Sequence, residues 1–165
     1  MTHFWRIRTR ATVQSRAVTD PELTIELAST AGAELIDAFG FLIPQLSQSS
    51  PPPGERELAE MLSADGTTIF VARLGTKIVG TLTLVVFRIP TGLRAWIEDV
   101  VVDDSARGHG AGEALTRAAL EHAAALGAKT VELTSRPSRE AANRLYQRLG
   151  FERRDTNLYR FTFRT

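Results

Sequence analysis

Arg107-Gly108-His109-Gly110-Ala111-Gly112 lies between an apolar run, Trp96 to Val102, and an alanine-rich stretch that ends near Leu126. Glycines at alternate positions free the main chain to turn sharply and to pass close to a ligand. A helix starting there aims unpaired N–H groups, worth roughly +0.5 of a charge, back into the turn. The stretch therefore reads as a strand, an anion cradle made of backbone, and a helix. Its spacing is not the dinucleotide pattern G-x-G-x-x-G, and no Gly-Lys-Ser/Thr follows as in a P-loop. A plain structural turn is the other reading of the same residues.

Upstream, Thr68 to Arg73 and Ile78 to Phe87 flank a turn at Gly75 and form a hairpin, and Pro90 to Gly92 turns the chain into the strand Leu93 to Val102. Before these, a short strand is expected at Ala11 to Ala17. Asp20-Pro21 looks like an N-cap with proline at the first helical position, so a helix is expected from there to about Phe39. The run Gln48 to Gly54 with its three prolines is a loop, followed by a short helix from Glu55 to Ser63. Downstream come a strand Thr130 to Thr134, a helix capped by Ser138 and stopped at Gly150, and two closing strands, Phe151 to Arg154 and Leu158 to Phe163. The class is α/β of the mixed kind, one mostly antiparallel sheet of about seven strands with helices on both faces.

The chain has 165 residues and 43% hydrophobic composition, enough for one domain over 1–165 with its own core, with 1–10 read as an extra N-terminal segment. The net charge of +1 conceals an asymmetry: residues 1–128 carry 11 basic and 15 acidic groups, whereas residues 129–165 carry nine basic and four acidic. A basic C-terminal third suits phosphates, and solvated helix and strand faces account for it equally. With no cysteine there is no disulfide, cysteine-ligated zinc or thiolate nucleophile, so covalent acyl-cysteine chemistry is excluded. No apolar run reaches the roughly 18 residues of a membrane span, and a soluble, cytoplasmic protein without metal is expected. The arginine-rich N-terminus faintly resembles a transit peptide, but arginine is the main cation throughout, with Lys77 and Lys129 the only lysines.

Two segments together resemble the GNAT family of N-acetyltransferases. Arg107, Gly110 and Gly112 match its Arg/Gln-x-x-Gly-x-Gly/Ala signature, after Ile97 to Val102 as its fourth strand. Ala142 to Phe151 looks like its second motif, a helix with a tyrosine that runs into Gly-Phe. The resemblance implies acetyl-CoA as co-substrate. The amides of Gly108, His109, Gly110, Ala111 and Gly112 would hold the pyrophosphate, Arg107 would add charge, and the strand edge at Val100, Val101 and Val102 would bond the pantetheine arm.

Acetylating an amine requires a neutral amine, a polarised thioester carbonyl and a proton for the departing thiolate. An alkylamine with a pKa of about 10.4 needs a base or a water chain to lose its proton. Glu98 and Asp99 are the candidates: successive strand residues point to opposite faces, so one carboxylate is expected in a covered region where it would be costly without a use. The family often carries a carboxylate two positions earlier, where this chain has Trp96, which leaves a water chain open as the base. By resemblance Tyr146 is the acid; a tyrosine packed in the core is its plainer reading. His109 is expected to face solvent and His122 to pack at the helix boundary. Arg139 stands where the family has a CoA-contacting asparagine, and Asn143 lies on another helix face.

The acceptor pocket implied by the resemblance falls at Phe39 to Arg56 and Arg153 to Tyr159, without a signature for any one amine. A small-molecule or peptide amine is expected, with a homodimer left open. The early loop is apolar and acid-poor, which disfavours a polycationic acceptor. The alternatives are a non-catalytic acyl-CoA-binding domain and, given Arg136 to Arg154, acetylation of the aminoacyl end of a tRNA. Those arginines are interleaved with acids, and Glu140 with Arg144 is an ordinary i,i+4 surface pair, so nucleic acid is disfavoured.

Overall fold

The structure, a computed structural model, describes residues 21–163, so the strand expected at Ala11 to Ala17 lies outside them. The elements are β1 (Leu23–Leu27), α1 (Ala33–Leu46), α2 (Glu55–Ser63), β2 (Thr67–Leu74), β3 (Lys77–Ile89), β4 (Gly92–Val102), a 3-10 turn (Asp104–Ala106), α3 (Ala111–Ala125), β5 (Val131–Leu133) and α4 (Glu140–Arg148). The strands form one sheet in the order β1-β2-β3-β4-β5, antiparallel except for the parallel pair β4 and β5.

Alternation in β2 explains the layering. Phe70 and Ala72 point to one face and pack with Leu115, Ala119 and Ala123 of α3; Ile69 and Val71 point to the other and pack with Leu35, Phe39 and Leu42 of α1 and Leu58 of α2. The sheet is covered on both sides, as the sequence suggests. A guanidinium locks the first edge: Arg73 donates to Glu26 on β1 at 2.8 Å, to both carboxylate oxygens of Glu34 on α1 at 2.5 and 2.9 Å, and to the Thr76 carbonyl at 3.1 Å. These partners raise the basicity of Arg73 further, its hydrogen bonds to Glu34 acting first and that to Glu26 next.

Three expectations are corrected. The helix expected from Asp20-Pro21 does not form; the alternating Leu23, Ile25 and Leu27 make a strand registered on β2, and α1 begins at Ala33. Burial of Leu42 and Ile43 then carries α1 past Phe39 and through Pro44. The closing strands are absent among the described residues. Residues 152–163 are exposed and unpaired, and the described residues hold five strands, against about seven expected for the whole chain. Period-two alternation states what a strand would bury but supplies no edge to pair with. Finally, Ser138 does not cap α4: Arg139 occupies the N-cap, and Asn143 Nδ2 instead donates to the Arg136 carbonyl at 3.0 Å.

Leu115 is 0% exposed, at the centre of the α3 face. Leu115→Ala should lower the unfolding free energy by about 3 kcal/mol in a denaturant titration, whereas Leu126→Ala, at a residue 51% exposed, should change it by under about 0.5 kcal/mol.

Candidate active site

The site grows from an irregularity in β4. Thr83 pairs with Glu98 but Thr81 pairs with Val101, so three steps of β4 face two of β3 and one residue is extra. Asp99 absorbs it at φ 49°, the one described non-glycine residue with positive φ. The extra residue reverses the parity of the strand. Before it, odd-numbered Ala95 and Ile97 face α3; after it, even-numbered Val100 and Val102 do, while Val101 turns toward α1.

The same point separates β4 from β5. Their pairing runs Ala95 with Val131, Trp96 with Glu132 and Ile97 with Leu133, and stops. β4 continues to Val102. Among the described residues, the backbone groups of residues 98–102 that face away from β3 therefore have no ladder partner. This is an open strand edge inside the molecule, able to bond an extended chain of amides.

At the end of that edge, Gly108 and Gly110 hold φ of 87° and 79°. A Cβ on either would meet nothing within 4 Å, so the turn is an open cradle. Gly110 is the left-handed N-cap of the 15-residue α3, whose first amides face the cradle. At Gly112 the two motif segments meet: a Cβ there would lie in ordinary contact with Leu145 of α4 at 3.5 Å and Val102 of β4 at 3.8 Å. Ala111 is buried, and His109 is exposed with Nδ1 donating to the Ala106 carbonyl at 3.2 Å. Arg107 is exposed but already paired with Asp104 at 2.5 Å, so the cradle's attraction for an anion rests on amides and the helix dipole.

Tyr146 is half-buried, its ring edge-on to Phe151 at 5.7 Å between centroids. Burial raises its pKa above the ordinary 10.0, and the positive charge of Arg139 only partly opposes this, so the phenol keeps its proton at neutral pH. Arg139 also donates to the Leu46 carbonyl at 3.2 Å, tying the start of α4 to the end of α1.

The carboxylates depart from expectation. Neither is buried: Glu98 and Asp99 are both exposed, because β5 has left the strand where they sit. Glu98 accepts from Trp96 Nε1 at 2.7 Å, and the two line a cleft of about 350 Å³ with Thr134, Leu158, Tyr159 and Phe161. Of the expected acceptor segments, Leu158 and Tyr159 line this cleft and Phe39 to Arg56 does not. His122 packs edge-on against Phe70 at 5.7 Å, a boundary residue as expected.

Two side chains escaped the sequence reading. The Ser135 hydroxyl, two residues past the end of β5, is buried without a hydrogen-bond partner among the described residues. Asp103 is buried at the end of β4, accepting from the Ser105 hydroxyl at 2.8 Å, the Ser105 amide at 3.2 Å and Lys77 at 3.1 Å. The pattern Asp103-x-Ser105, an aspartate two residues before an amide it can cap, is a signal the sequence does carry.

The unpaired edge of β4, the glycine turn at the α3 N-terminus and the helix of Tyr146 meet where Gly112 lies against Val102 and Leu145. The acetyltransferase (GNAT) family model matches residues 35–151, and the chain belongs to that family. No curated protein sequence matches the chain. Among solved structures it is similar to an aminoglycoside acetyltransferase from an uncultured soil metagenomic sample, at 22% identity and TM-score 0.77, covering 86% of this chain and 97% of that one. A putative acetyltransferase from Agrobacterium tumefaciens is 29% identical at TM-score 0.73, covering 86% and 99%. An aminoglycoside N-acetyltransferase in complex with CoA is 17% identical at TM-score 0.73, covering 88% and 97%. The activity class is N-acetyltransferase. Among the described residues, no helix is long and apolar enough to cross a membrane.

Asp103 yields a pH signature. Burial alone would raise its pKa, but hydrogen bonds from Ser105 and Lys77 outweigh it and hold the carboxyl below the ordinary 3.8. The stabilisation is thus present above about pH 3.8 and lost as pH falls through the lower folded value. Asp103→Asn should be less stable by about 1–2 kcal/mol at pH 7, with the difference closing below pH 4 in thermal melts.

Proposed function

We propose that the protein transfers the acetyl group of acetyl-CoA to a primary amine by direct attack within a ternary complex in a cytoplasmic setting. The open edge of β4 beside the α3 N-terminus is the observation that carries this reading, since it offers backbone donors and acceptors in a row that ends at an anion cradle. Residues 100–102 take the pantetheine amides. Gly108 to Gly112, with His109 and Ala111 supplying amides, take the pyrophosphate, and Arg107 exchanges Asp104 for phosphate. The orphaned Ser135 hydroxyl fits a further polar contact on the β5 side of the gap.

Glu98 accepts the proton of the incoming ammonium, directly or through water, or holds that ammonium in place; Asp99, at the bulge, is the second carboxylate in reach of solvent. The neutral amine attacks the thioester carbonyl, the carbon–sulfur bond breaks, and Tyr146 gives its proton to the thiolate. The solved relatives named for aminoglycosides are under 25% identical and support the fold only. The cleft here, with one carboxylate, one arginine and several apolar rings, favours a singly charged small-molecule or peptide amine with an apolar body over a polycation.

Calorimetric titration with acetyl-CoA and with desulfo-CoA should show one site for each, and failure of both to bind overturns the reading. Gly110→Val forces a β-branched residue into left-handed backbone and should weaken acetyl-CoA binding about tenfold or more. Tyr146→Phe should lower kcat by about 10²-fold with CoA affinity nearly unchanged, because a placed acid contributes about 10²- to 10⁴-fold. Unaltered turnover in that variant removes the acid role.

A further inference from the structure

We infer that Gln45, near the end of α1, is a positioning residue for acetyl-CoA: its carboxamide holds the amide of Asp104, and through it the turn that presents Arg107 and Gly108. The stretch between β4 and the glycines has few ways to hold itself. The Asp103 amide donates to the Val79 carbonyl at 2.8 Å, and the amides of Ser105, Ala106 and Arg107 donate to Asp103 Oδ1 at 3.2 Å, the Asp103 carbonyl at 2.9 Å and the Asp104 carbonyl at 3.4 Å. Asp104 is the first residue of the 3-10 turn, so its own amide finds no acceptor there. Gln45 Oε1, 59 positions away in the chain, accepts it at 3.1 Å. Among the described residues, the amides of Gly108 to Gly112 have no acceptor, so Gln45 closes the last gap before the free donors begin.

Gln45 is itself aimed. Its Nε2 donates to the Phe41 carbonyl at 3.2 Å, one helical turn back, which leaves Oε1 as the atom that meets Asp104. Phe41 and Gln45 are four residues apart and share a face of α1. Over the Phe41 ring, at 5.0 Å from its centre, sits Lys77 Nζ, the ammonium that also donates to Asp103 at 3.1 Å. One face of α1 therefore holds two successive residues of the turn, Asp103 through Lys77 and Asp104 directly. A turn already fixed loses few conformations when a pyrophosphate arrives, whereas a loose one must be ordered at that moment and binds more weakly for it. The last turn of α1, expected from the sequence to line the acceptor pocket, thus serves the carrier side.

This role rests on the acetyl-transfer reading, and a double-mutant cycle in the full chain separates the two. Gln45→Met keeps the length and helix preference of the side chain and removes the acceptor. Calorimetry should give it a Kd for acetyl-CoA about three- to tenfold weaker than wild type, with the melting temperature of the free protein unchanged. Asp104→Pro removes the amide instead. The position suits proline, because Asp104 opens its turn and Asp103 takes φ −49° and ψ 130°, outside the α region as a residue before proline must be. With no donor left for Gln45, adding Gln45→Met to Asp104→Pro should change the Kd by less than about twofold. An equal loss in both backgrounds overturns the inference, since Gln45 would then act through α1 alone. If Asp104→Pro fails to fold, amide hydrogen exchange decides: in Gln45→Met the Asp104 amide should exchange faster than in wild type and the Asp103 amide at the same rate, and an unchanged Asp104 rate overturns the inference. Wild type that binds no acetyl-CoA overturns the acetyl-transfer reading and this role together, whereas wild type and Gln45→Met that bind it equally overturn this role alone.

Discussion

One inserted residue in β4 governs the rest of the site. At Asp99 the strand takes an extra step against β3, and everything after it changes face: Val100 and Val102 join the α3 side, and Val101 turns to α1. A strand reversed in this way cannot keep its register with a straight parallel neighbour, and β5 pairs with it only as far as Ile97. The open edge, the exposure of both carboxylates and the route from cleft to cradle follow from that step. The positive φ at Asp99 is the local strain that accompanies it, of order 1–3 kcal/mol, held in place by the packed faces on either side.

The motif residues act through backbone more than through side chains. Gly108 and Gly110 leave open space, Gly112 lies where α3, α4 and β4 converge, and the amides of α3 supply the positive end of a dipole. Arg107, the one cation in the turn, is engaged by Asp104. The turn is therefore close to neutral in net charge, and what it presents is the direction of the first N–H groups of α3.

Legibility in the sequence divides along local and non-local lines. The β2–β3 hairpin, β4 and α3 were readable because alternation, Gly75 and the alanine-rich period are local signals. β1 was not, because Asp20-Pro21 mimics a helix start and outweighs the short alternation of Leu23, Ile25 and Leu27, whose partner lies some 45 residues away in β2. The bulge at Asp99 was illegible as well: Glu98-Asp99 reads as ordinary strand until the pairing with Thr81 and Thr83 is known, and the expected buried carboxylate went with it. Glycine spacing and the Tyr146 helix carried the family, yet the contact that joins them, Leu145 against Gly112, appears only in three dimensions.

The Arg73 clamp has a consequence for how this framework can change. One planar guanidinium fastens β1, β2 and α1 together on the side of the sheet away from β5, while the proline-rich run between α1 and α2 hangs outside the clamp. That run can be lengthened, shortened or exchanged without disturbing any element the arginine joins. The molecule is thus divided into a clamped chassis and a replaceable panel, and the panel lies apart from the cleft beside Glu98, so the two can be altered independently.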